Sequence, residues 1–254
     1  MVRPLPFAEW EPIYEAILAD FGFDRAADER ARECAIDIVT ECQETSTNAD
    51  RPDSDPAERF DLTSHVANAT VRVVGAAPSL STELDRIEVD SDEIVIAAST
   101  AADVLMTHGI EIDCMVTDLD KNVETARDCS HDGVLVVAHV HGDNIPVVRK
   151  WLPQFDLSST LVTTQAAPRG LVGNYGGFTD GDRAAFLADA FGAARLRFSG
   201  WSFDDPTVDA MKARKLRWAE HLLYWLETRR NERFGVLEGR REPLTTPITA
   251  LSTE

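Results

Sequence analysis

Thr70-Val-Arg-Val-Val-Gly75-Ala-Ala-Pro-Ser79 decides the fold: a short run of β-branched residues breaks at a glycine and leads into a helix. The same pattern of strand, turn and helix recurs along the chain. Predicted strands cover residues 70–75, 93–98, 114–117, 134–138, 160–163 and 195–199, and the helices between them cover residues 80–87, 101–108, 122–129, 145–152 and 180–191. Apolar runs that do not alternate, separated by helices, are typical of a parallel sheet covered on both faces. The sequence therefore predicts an α/β fold with a mainly parallel sheet.

Helical patterns flank this core on both sides. Apolar residues recur at steps of three and four over residues 7–21 and 24–44, and a long helix is predicted over residues 208–229. A polar, proline-bearing stretch at residues 45–61 indicates a linker, and residues 243–254 indicate a mobile tail. We divide the chain into a helical N-terminal region with an acidic linker (1–65), an α/β catalytic domain (66–230) and a C-terminal tail (231–254). The N-terminal helices are expected to cover the sheet edge or to form the contact of a homodimer.

The composition excludes several classes of protein. With 254 residues and 44% hydrophobic residues, the chain can bury a sizeable core. It has no apolar run of the roughly 20 residues that a membrane span needs and no signal-type apolar segment. We therefore expect a cytoplasmic protein without a membrane partner, and the four cysteines are expected to be buried thiols.

The charge is strongly acidic, with 44 acidic against 25 basic residues and a formal net charge of −19. Only Lys121, Lys150, Lys212 and Lys215 are lysines, and the other 21 basic residues are arginines. Such a surface repels a phosphate backbone, which argues against a nucleic-acid partner. It is also typical of proteins that stay hydrated at molar salt. We interpret the chain as salt-adapted, the alternative being an ordinary acidic protein.

Polar residues gather where the predicted strands end, which is where parallel sheets bind ligands. Gly75 and Ser79 follow the first strand, where a helix start could hold a phosphate or Ser79 could simply cap the helix. Asp118 and Asp120 follow the third strand on one face. Like charges so close favour a cation between them, and Mg²⁺ takes one or two carboxylates; the alternative is a solvated acidic turn.

Two further strand ends carry similar signals. His139 and His141 share a face after the fourth strand, followed by Asp143 and Asn144, and this pattern favours a site over structural histidines. Thr164 and Gln165 follow the fifth strand. The segment from residue 174 to residue 183 packs three glycines with Asp180, Asp182 and Arg183. It favours close backbone approach to a ligand and an arginine clamp on phosphate, the alternative being a capped helix with Arg183 paired to Asp182.

Taken together, these blocks resemble the archaeal 6-hydroxymethyl-7,8-dihydropterin diphosphokinase family. The resemblance is carried, over about residues 70 to 220, by Gly75-Ala-Ala-Pro-Ser-Leu80, Val116-Thr-Asp-Leu-Asp120, His139-Val-His-Gly-Asp-Asn144, Thr163-Thr-Gln165 and Gly176-Gly-Phe-Thr-Asp-Gly-Asp-Arg183. It implies a fold similar to the thiamin pyrophosphokinase catalytic domain. It also implies a Mg²⁺-dependent transfer of diphosphate from ATP to a pterin hydroxymethyl group, with release of AMP, in folate- or methanopterin-type biosynthesis. The acidic composition fits a halophilic archaeal member.

The resemblance also implies roles for individual residues. As Mg²⁺ ligands we predict Asp118, Asp120 and Asp143, and as catalytic residues His141, Arg183 and Asp143, with His139 in support. Contacts to nucleotide or pterin are predicted for Gly75, Pro78, Ser79, Asn144, Thr164, Gln165 and Asp180. The aromatic residues that could stack on the flat ligands are Phe178, Trp201 and Phe203.

Two departures from the family pattern qualify this interpretation. Ala76-Ala77 stands where the family has a glycine, and Ser99-Thr100 stands where an Asp-Gly turn is expected, with the glycine accommodating a positive φ. The alternatives that stay open are the same reaction on thiamin, a nucleotide-sugar glycosyltransferase that uses Asp118-Leu-Asp120 as its metal motif, and a nucleotide-binding protein without catalysis.

The charge predicts an unusual response to salt. We expect the melting temperature to rise from low to molar KCl, because cations screen the mutual repulsion of a surface with net charge −19. Activity is expected to peak at high salt. Thermal unfolding followed by circular dichroism over a KCl series checks this, and a melting temperature that falls steadily with KCl contradicts salt adaptation.

Overall fold

Six parallel strands form the centre of the structure, which is a computed structural model that describes residues 5–45, 65–87, 89–242 and 244. The strands are β1 (Thr70–Val74), β2 (Ile94–Ala98), β3 (Cys114–Thr117), β4 (Leu135–Val140), β5 (Thr160–Thr164) and β6 (Arg195–Ser199). They lie in the order β5-β4-β3-β2-β1-β6, and every neighbouring pair is parallel. The predicted α/β fold is confirmed.

Eight α-helices lie within the described residues. They are α1 (Phe7–Phe21), α2 (Arg25–Thr45), α3 (Leu80–Leu84), α4 (Ala101–Thr107), α5 (Val123–His131), α6 (Ile145–Trp151), α7 (Asp180–Ala190) and α8 (Ala210–Arg230). Each predicted helix and strand is present with ends shifted by at most three residues. One shift matters for the site: β4 continues to Val140, so His139 lies within the strand and not in the turn after it.

The two faces of the sheet are covered by different helices. Helices α2 to α6 pack with Val74, Ala97, Met115 and Val136 on one face. Helices α1, α7 and α8 pack on the other face, where α7 runs under β1, β2 and β3. The chain therefore changes face between β5 and β6. Such a change opens a crevice beyond the carboxyl ends of β4 and β5, because the connections after these two strands leave in opposite directions.

A tight turn joins α1 to α2 and sets where the two N-terminal helices point. α1 ends at Gly22, whose φ of +69° is left-handed and costs a glycine little. Arg25 then pairs with Glu11, at 2.6 Å, and with Glu15, both of α1, which fixes the start of α2 against α1. α2 packs against β4 and β5, so the N-terminal helices cover part of the sheet as expected.

Other expectations fall partly outside the described residues. The predicted linker over residues 45–61 and the predicted tail over residues 243–254 lie outside them apart from residue 45 and Leu244. Phe234 and Leu237, which lie within the region assigned to the C-terminal tail (231–254), are buried in the same core as α1 and α8. No helix in the described ranges has both the length and the apolar character that crossing a bilayer requires.

Candidate active site

A cleft of about 280 Å³ opens beyond the carboxyl ends of β3, β4 and β5. It is lined by Gly22, Phe23, Asp24, Ala27, Asp28, Asp118, His141, Gly142, Asp143, Gln165, Phe178, Arg183 and Lys215. Five of the residues predicted for the site, Asp118, His141, Asp143, Gln165 and Arg183, therefore line one cleft. They come from three strand ends and from the first turn of α7.

The two aspartates after β3 come together through a strained turn. Leu119 has a φ of +63°, which is unusual for a branched residue, and its side chain is buried beneath the sheet end. The N–H of Leu119 donates to Thr117 Oγ1 at 3.0 Å, and the N–H of Asp120 donates to Asp118 Oδ1 at 3.3 Å. The two carboxyl groups hydrogen-bond to each other. The predicted convergence is present, but its predicted cause, strand alternation, is wrong, because β3 ends at Thr117.

Because they lie so close together, the carboxyl groups of Asp118 and Asp120 have different pKa values. Burial, the hydrogen bond with Asp118 and the Asp118 charge raise the pKa of Asp120 to about 6. Burial acts to raise the pKa of Asp118 as well, but the hydrogen bond from Asp120, His141 and Arg183 outweigh it and lower that pKa. Burial, followed by the Asp118 charge, raises the pKa of Asp180 well above its usual range. Without a cation, Asp120 and Asp180 are therefore weaker acids than a solvated aspartate, and we call Asp118, Asp120 and Asp180 the acid cluster.

The acid cluster suits a hard cation that keeps part of its shell for other ligands. Within the described ranges, no three His, Cys, Asp or Glu side chains are arranged to hold a metal ion by themselves. Mg²⁺ binds to one or two carboxylates and completes its octahedron with water and phosphate oxygens. The Asp118–Asp120 pair, which crowds two acids into hydrogen-bonding distance, fits that partial set of ligands.

The turn after β4 holds His141 over the acid cluster. Asn144 Oδ1 accepts the N–H of His141 at 3.0 Å, and Asn144 Nδ2 donates to the carbonyl oxygens of Asp118 at 2.6 Å and His139 at 2.8 Å. Asn144 therefore ties the ends of β3 and β4 together and is buried while doing so. His141 Nδ1 faces the N–H of Asp143 at 3.4 Å, which favours the tautomer protonated at Nε2, and Nε2 lies 3.8 Å from Asp118 Oδ2.

Both histidines are biased toward the neutral form. Burial lowers the pKa of His141, although Asp118 acts in the opposite direction. Burial lowers the pKa of His139 much further, and Arg183 and His141 add to that effect. His139 Nδ1 lies 3.0 Å from Thr163 Oγ1, inside the protein and behind His141. Thr164 is also buried, and its hydroxyl accepts the N–H of Ala166 at 3.2 Å.

The first turn of α7 presents Arg183 to the cleft. Gly177, with a φ of +87°, lies so close to this turn that a Cβ atom would stand 2.4 Å from the Cα of Arg183. Asp182 caps the helix by accepting the N–H groups of Phe178 and Thr179 at 2.6 and 2.9 Å. Arg183 donates to the carbonyl of Phe178 at 2.9 Å and pairs with Asp180 at 3.3 Å. The alternative pairing of Arg183 with Asp182 is therefore wrong.

Several predicted residues lie outside this cleft. Gly75 packs where β1 meets β6: its N–H donates to the carbonyl of Ser199 at 2.9 Å, and a Cβ would stand 2.6 Å from the carbonyl oxygen of Gly200. Ser79 Oγ donates to Glu83 at 2.6 Å. Pro78 is part of the same turn. Ligand contact by these residues stays a prediction, and among the aromatic candidates Phe178 lines the cleft whereas Trp201 and Phe203 do not.

The departure at the end of β2 has a different backbone from the one expected. Ser99 carries the positive φ, +50°, whereas Thr100 is right-handed with a φ of −64°. The expectation that a glycine is required at position 100 is therefore wrong. Aspartate enters the left-handed region more readily than most residues, so an acid would be tolerated by the backbone at position 99.

The N-terminal helices supply site residues that sequence reasoning missed. Asp28 of α2 is buried and accepts hydrogen bonds from Tyr14 Oη, Gln165 Nε2 and the N–H of Gly142, each at 2.8 Å. A Cβ on Gly142 would stand 2.5 Å from the Cβ of Ala27, so α2 closes directly over the histidine turn. A signal was present, because Asp28 falls on the apolar face of α2, three and seven residues before buried alanines.

Comparison with known proteins identifies what this chain is similar to. The family model described as 6-hydroxymethylpterin diphosphokinase MptE-like matches residues 44–207. A 6-hydroxymethyl-7,8-dihydropterin pyrophosphokinase of Methanothermobacter thermautotrophicus is 37% identical over 235 residues, which cover 86% of this chain and 94% of the relative. Proteins of the same name from Pyrococcus furiosus and Methanocaldococcus jannaschii are 35% and 28% identical, over 92% and 86% of this chain and 99% and 95% of the relatives.

Substitution of Asp28, the buried carboxylate of α2, should destabilise the protein more than substitution of its hydrogen-bond partner Tyr14. Asp28→Asn turns one acceptor oxygen into an NH₂ group that faces donors, so we expect a loss of about 2–3 kcal/mol in the free energy of unfolding and a lower catalytic rate. Tyr14→Phe is the matched control, because it removes one of the three bonds without facing the cleft and should cost about 1 kcal/mol. Urea unfolding and steady-state kinetics measure both, and equal losses for the two variants would contradict a role of Asp28 in the cleft.

Proposed function

The chain belongs to the MptE-like 6-hydroxymethylpterin diphosphokinase family and is therefore a diphosphotransferase, and we propose that it transfers diphosphate from ATP to 6-hydroxymethyl-7,8-dihydropterin with release of AMP. The observation that carries the proposal is the convergence of Asp118, His141 and Arg183 on one cleft, with Asp120 and Asp180 close to Asp118, within a chain that matches relatives of this name along most of its length. The product would enter folate- or methanopterin-type pterin biosynthesis.

We propose Mg²⁺ as the cation that this reaction uses. Asp118 and Asp120 would hold it, with Asp143 assisting from the rim of the cleft, where its carboxylate is exposed. When bound, the ion would neutralise charge on the phosphate oxygens and so favour displacement of AMP. The crowding that raises the pKa of Asp120 to about 6 supports this assignment, since a cation would allow both carboxylates to ionise.

The proposed reaction requires mainly that the protein position the two substrates and stabilise the charge that develops on the phosphates. The hydroxymethyl oxygen bonds to the β-phosphorus while the bond from that phosphorus to the α,β-bridging oxygen breaks, and AMP leaves with the electron pair. The hydroxyl proton would pass to a carboxylate such as Asp143. Neutral His141 would donate from Nε2 to a phosphate oxygen, and Arg183 would balance the negative charge that develops on the transferred group. Gln165 would add a polar contact to the ligand.

The cleft also suggests where the flat parts of the substrates lie. Phe178, just before α7, and Phe23, in the turn between α1 and α2, both line the cleft. Aromatic faces bind flat heterocycles by stacking. We therefore propose that a heterocycle, of the pterin or the nucleotide, is held between the N-terminal helices and the sheet edge.

An acceptor screen tests the proposed function. The protein is incubated with ATP, Mg²⁺ and either the pterin or thiamin, and AMP release is measured; a parallel reaction with a UDP-sugar is monitored for UDP. AMP release with the pterin alone is expected. AMP with thiamin alone, UDP release from the sugar donor, or nucleotide binding without turnover would each replace the proposal with one of the alternatives.

The acid pair gives a second prediction. Asp118→Asn and Asp120→Asn should each lower turnover by at least about 100-fold, because each keeps the shape and loses a metal-binding charge. Loss of Mg²⁺ affinity is expected in parallel, measured by activity against Mg²⁺ concentration.

The stability of these variants should move in the opposite direction. The folded-state pKa of Asp120 lies above its unfolded value, so ionising Asp120 above about pH 6 costs stability in the metal-free protein. Asp120→Asn removes that cost, and its metal-free melting temperature at pH 7.5 should hold or rise. Asp37→Asn, an exposed substitution on α2, is the control for the change in net charge. Near-normal turnover of either site variant at saturating Mg²⁺ rules that residue out as a ligand.

A further inference from the structure

Arginine and lysine side chains are used differently in this protein. Every ion pair between two described residues has an arginine or a histidine as its cation. Within the described ranges no lysine pairs with a carboxylate, although acidic residues greatly outnumber basic ones. The arginines hold the structure together, and the lysines keep their charge available.

Three of the four lysines stand around the acid cluster. Lys215 of α8 lines the cleft, and its Nζ lies 5.8 Å from the ring centre of Phe178. Lys212 lies one turn earlier on the same face of α8, and Lys121 directly follows Asp120. Lys150 is the exception: it lies on α6, with its Nζ 4.8 Å from the ring centre of Trp151.

Neighbouring contacts fix Lys215 in this place. Arg214 binds both carboxylate oxygens of Asp20, at 2.9 and 2.5 Å, and Trp218 Nε1 donates to Asp20 at 2.7 Å. These contacts tie α8 to the last turn of α1, just before the Gly22 turn that borders the cleft. Arg214 is thus used for anchoring, while the next residue, Lys215, is only partly buried and reaches the cleft.

We propose that Lys215, flanked by Lys212 and Lys121, binds the polyphosphate chain of the phosphoryl donor. The inference rests on the proposed function and names the group that would hold the donor. An ammonium is a compact charge with three donors that can follow phosphate oxygens as they move. The acid cluster would hold the metal ion, and the lysines would contact the phosphate oxygens that the metal leaves uncovered.

The electrostatics of the acid cluster agree with this placement. Burial and Asp118 raise the pKa of Asp120, whereas Lys121 and Lys215 act to lower it. Burial and Asp118 raise the pKa of Asp180, and Lys212 acts against that rise. The ammonium groups therefore act on the same space that the carboxylates occupy.

A lysine exchange with a matched control tests the proposal. Lys215→Ala should raise the KM for ATP, and the Kd for inorganic pyrophosphate in the presence of Mg²⁺, by about 10- to 100-fold, the range of a charged hydrogen bond. Lys150→Ala removes the same charge outside the cleft and should change neither value by more than about twofold. Lys215→Arg keeps the charge and should restore much of the binding. Titration calorimetry with pyrophosphate and steady-state kinetics supply the readouts.

The two flanking lysines are exposed, which gives a graded response. Lys121→Ala and Lys212→Ala should weaken pyrophosphate binding by about 2- to 5-fold at low salt, and 1 M KCl should remove that effect because it screens exposed charges within about 3 Å. The effect of Lys215→Ala should persist, since Lys215 is partly buried.

The outcomes separate this inference from the proposed function. If the wild-type protein releases no AMP from ATP with any acceptor, the proposed function fails, and pyrophosphate binding still decides the role of Lys215. A folded Lys215→Ala variant that binds pyrophosphate as the wild type does overturns the inference. Equal weakening by Lys215→Ala and Lys150→Ala also overturns it, since the loss would then reflect net charge alone.

Discussion

The rest of the cleft depends on one constraint: the carboxyl groups of Asp118 and Asp120 lie within hydrogen-bonding distance at the end of β3. Asp118 and Asp120 repel each other when both are ionised, and the left-handed backbone of Leu119 forces them together. A turn of this kind persists only where the surroundings hold it in place. Leu119 is buried in the core, and Asn144 binds the carbonyl of Asp118, so the fold supplies that support. Strain and repulsion kept at one strand end support the proposal that a cation binds there.

Helices α1, α2 and α8 complete the cleft, although they lie far in sequence from the strand ends that form its base. Asp28 receives a hydrogen bond from Gln165 just after β5, one from the turn after β4 and one from α1, so a single carboxylate joins three parts of the chain. α8 is joined to α1 in a comparable way through Asp20. The sheet alone would leave its carboxyl edge open to water. With α1, α2 and α8 in place, the edge becomes a partly enclosed cleft in which charges interact more strongly than at an open surface.

Much of the fold could be predicted from the sequence, because buried parallel strands produce uninterrupted apolar runs that local patterns reveal. The same holds for Asp118 and His141, which follow such runs, and for Arg183, which lies in the glycine-bearing segment over residues 174–183. Asp28 and Lys215 were not predicted, because their place in the cleft depends on how α2 and α8 dock, and docking leaves little trace in a local pattern. The backbone at Ser99 was misjudged for a related reason. A positive φ is expected at glycine, whereas here a serine adopts it, with its N–H bonded to the carbonyl of Val116 on β3.

Because the chain is so acidic, the positions of its arginines and lysines are informative. A protein with a net charge of −19 repels a polyanionic substrate, so the potential must be reversed locally wherever such a substrate is to bind. Arginine, with its planar fork, suits fixed carboxylate pairs, and Arg214 with Asp20 is an example. Lysine suits a partner that changes shape during a reaction. In a chain with only four lysines among its 25 basic residues, the lysines beside the acid cluster indicate where a mobile anion would bind. The distribution of the two residue types thus carries functional information that neither the net charge nor a single motif contains.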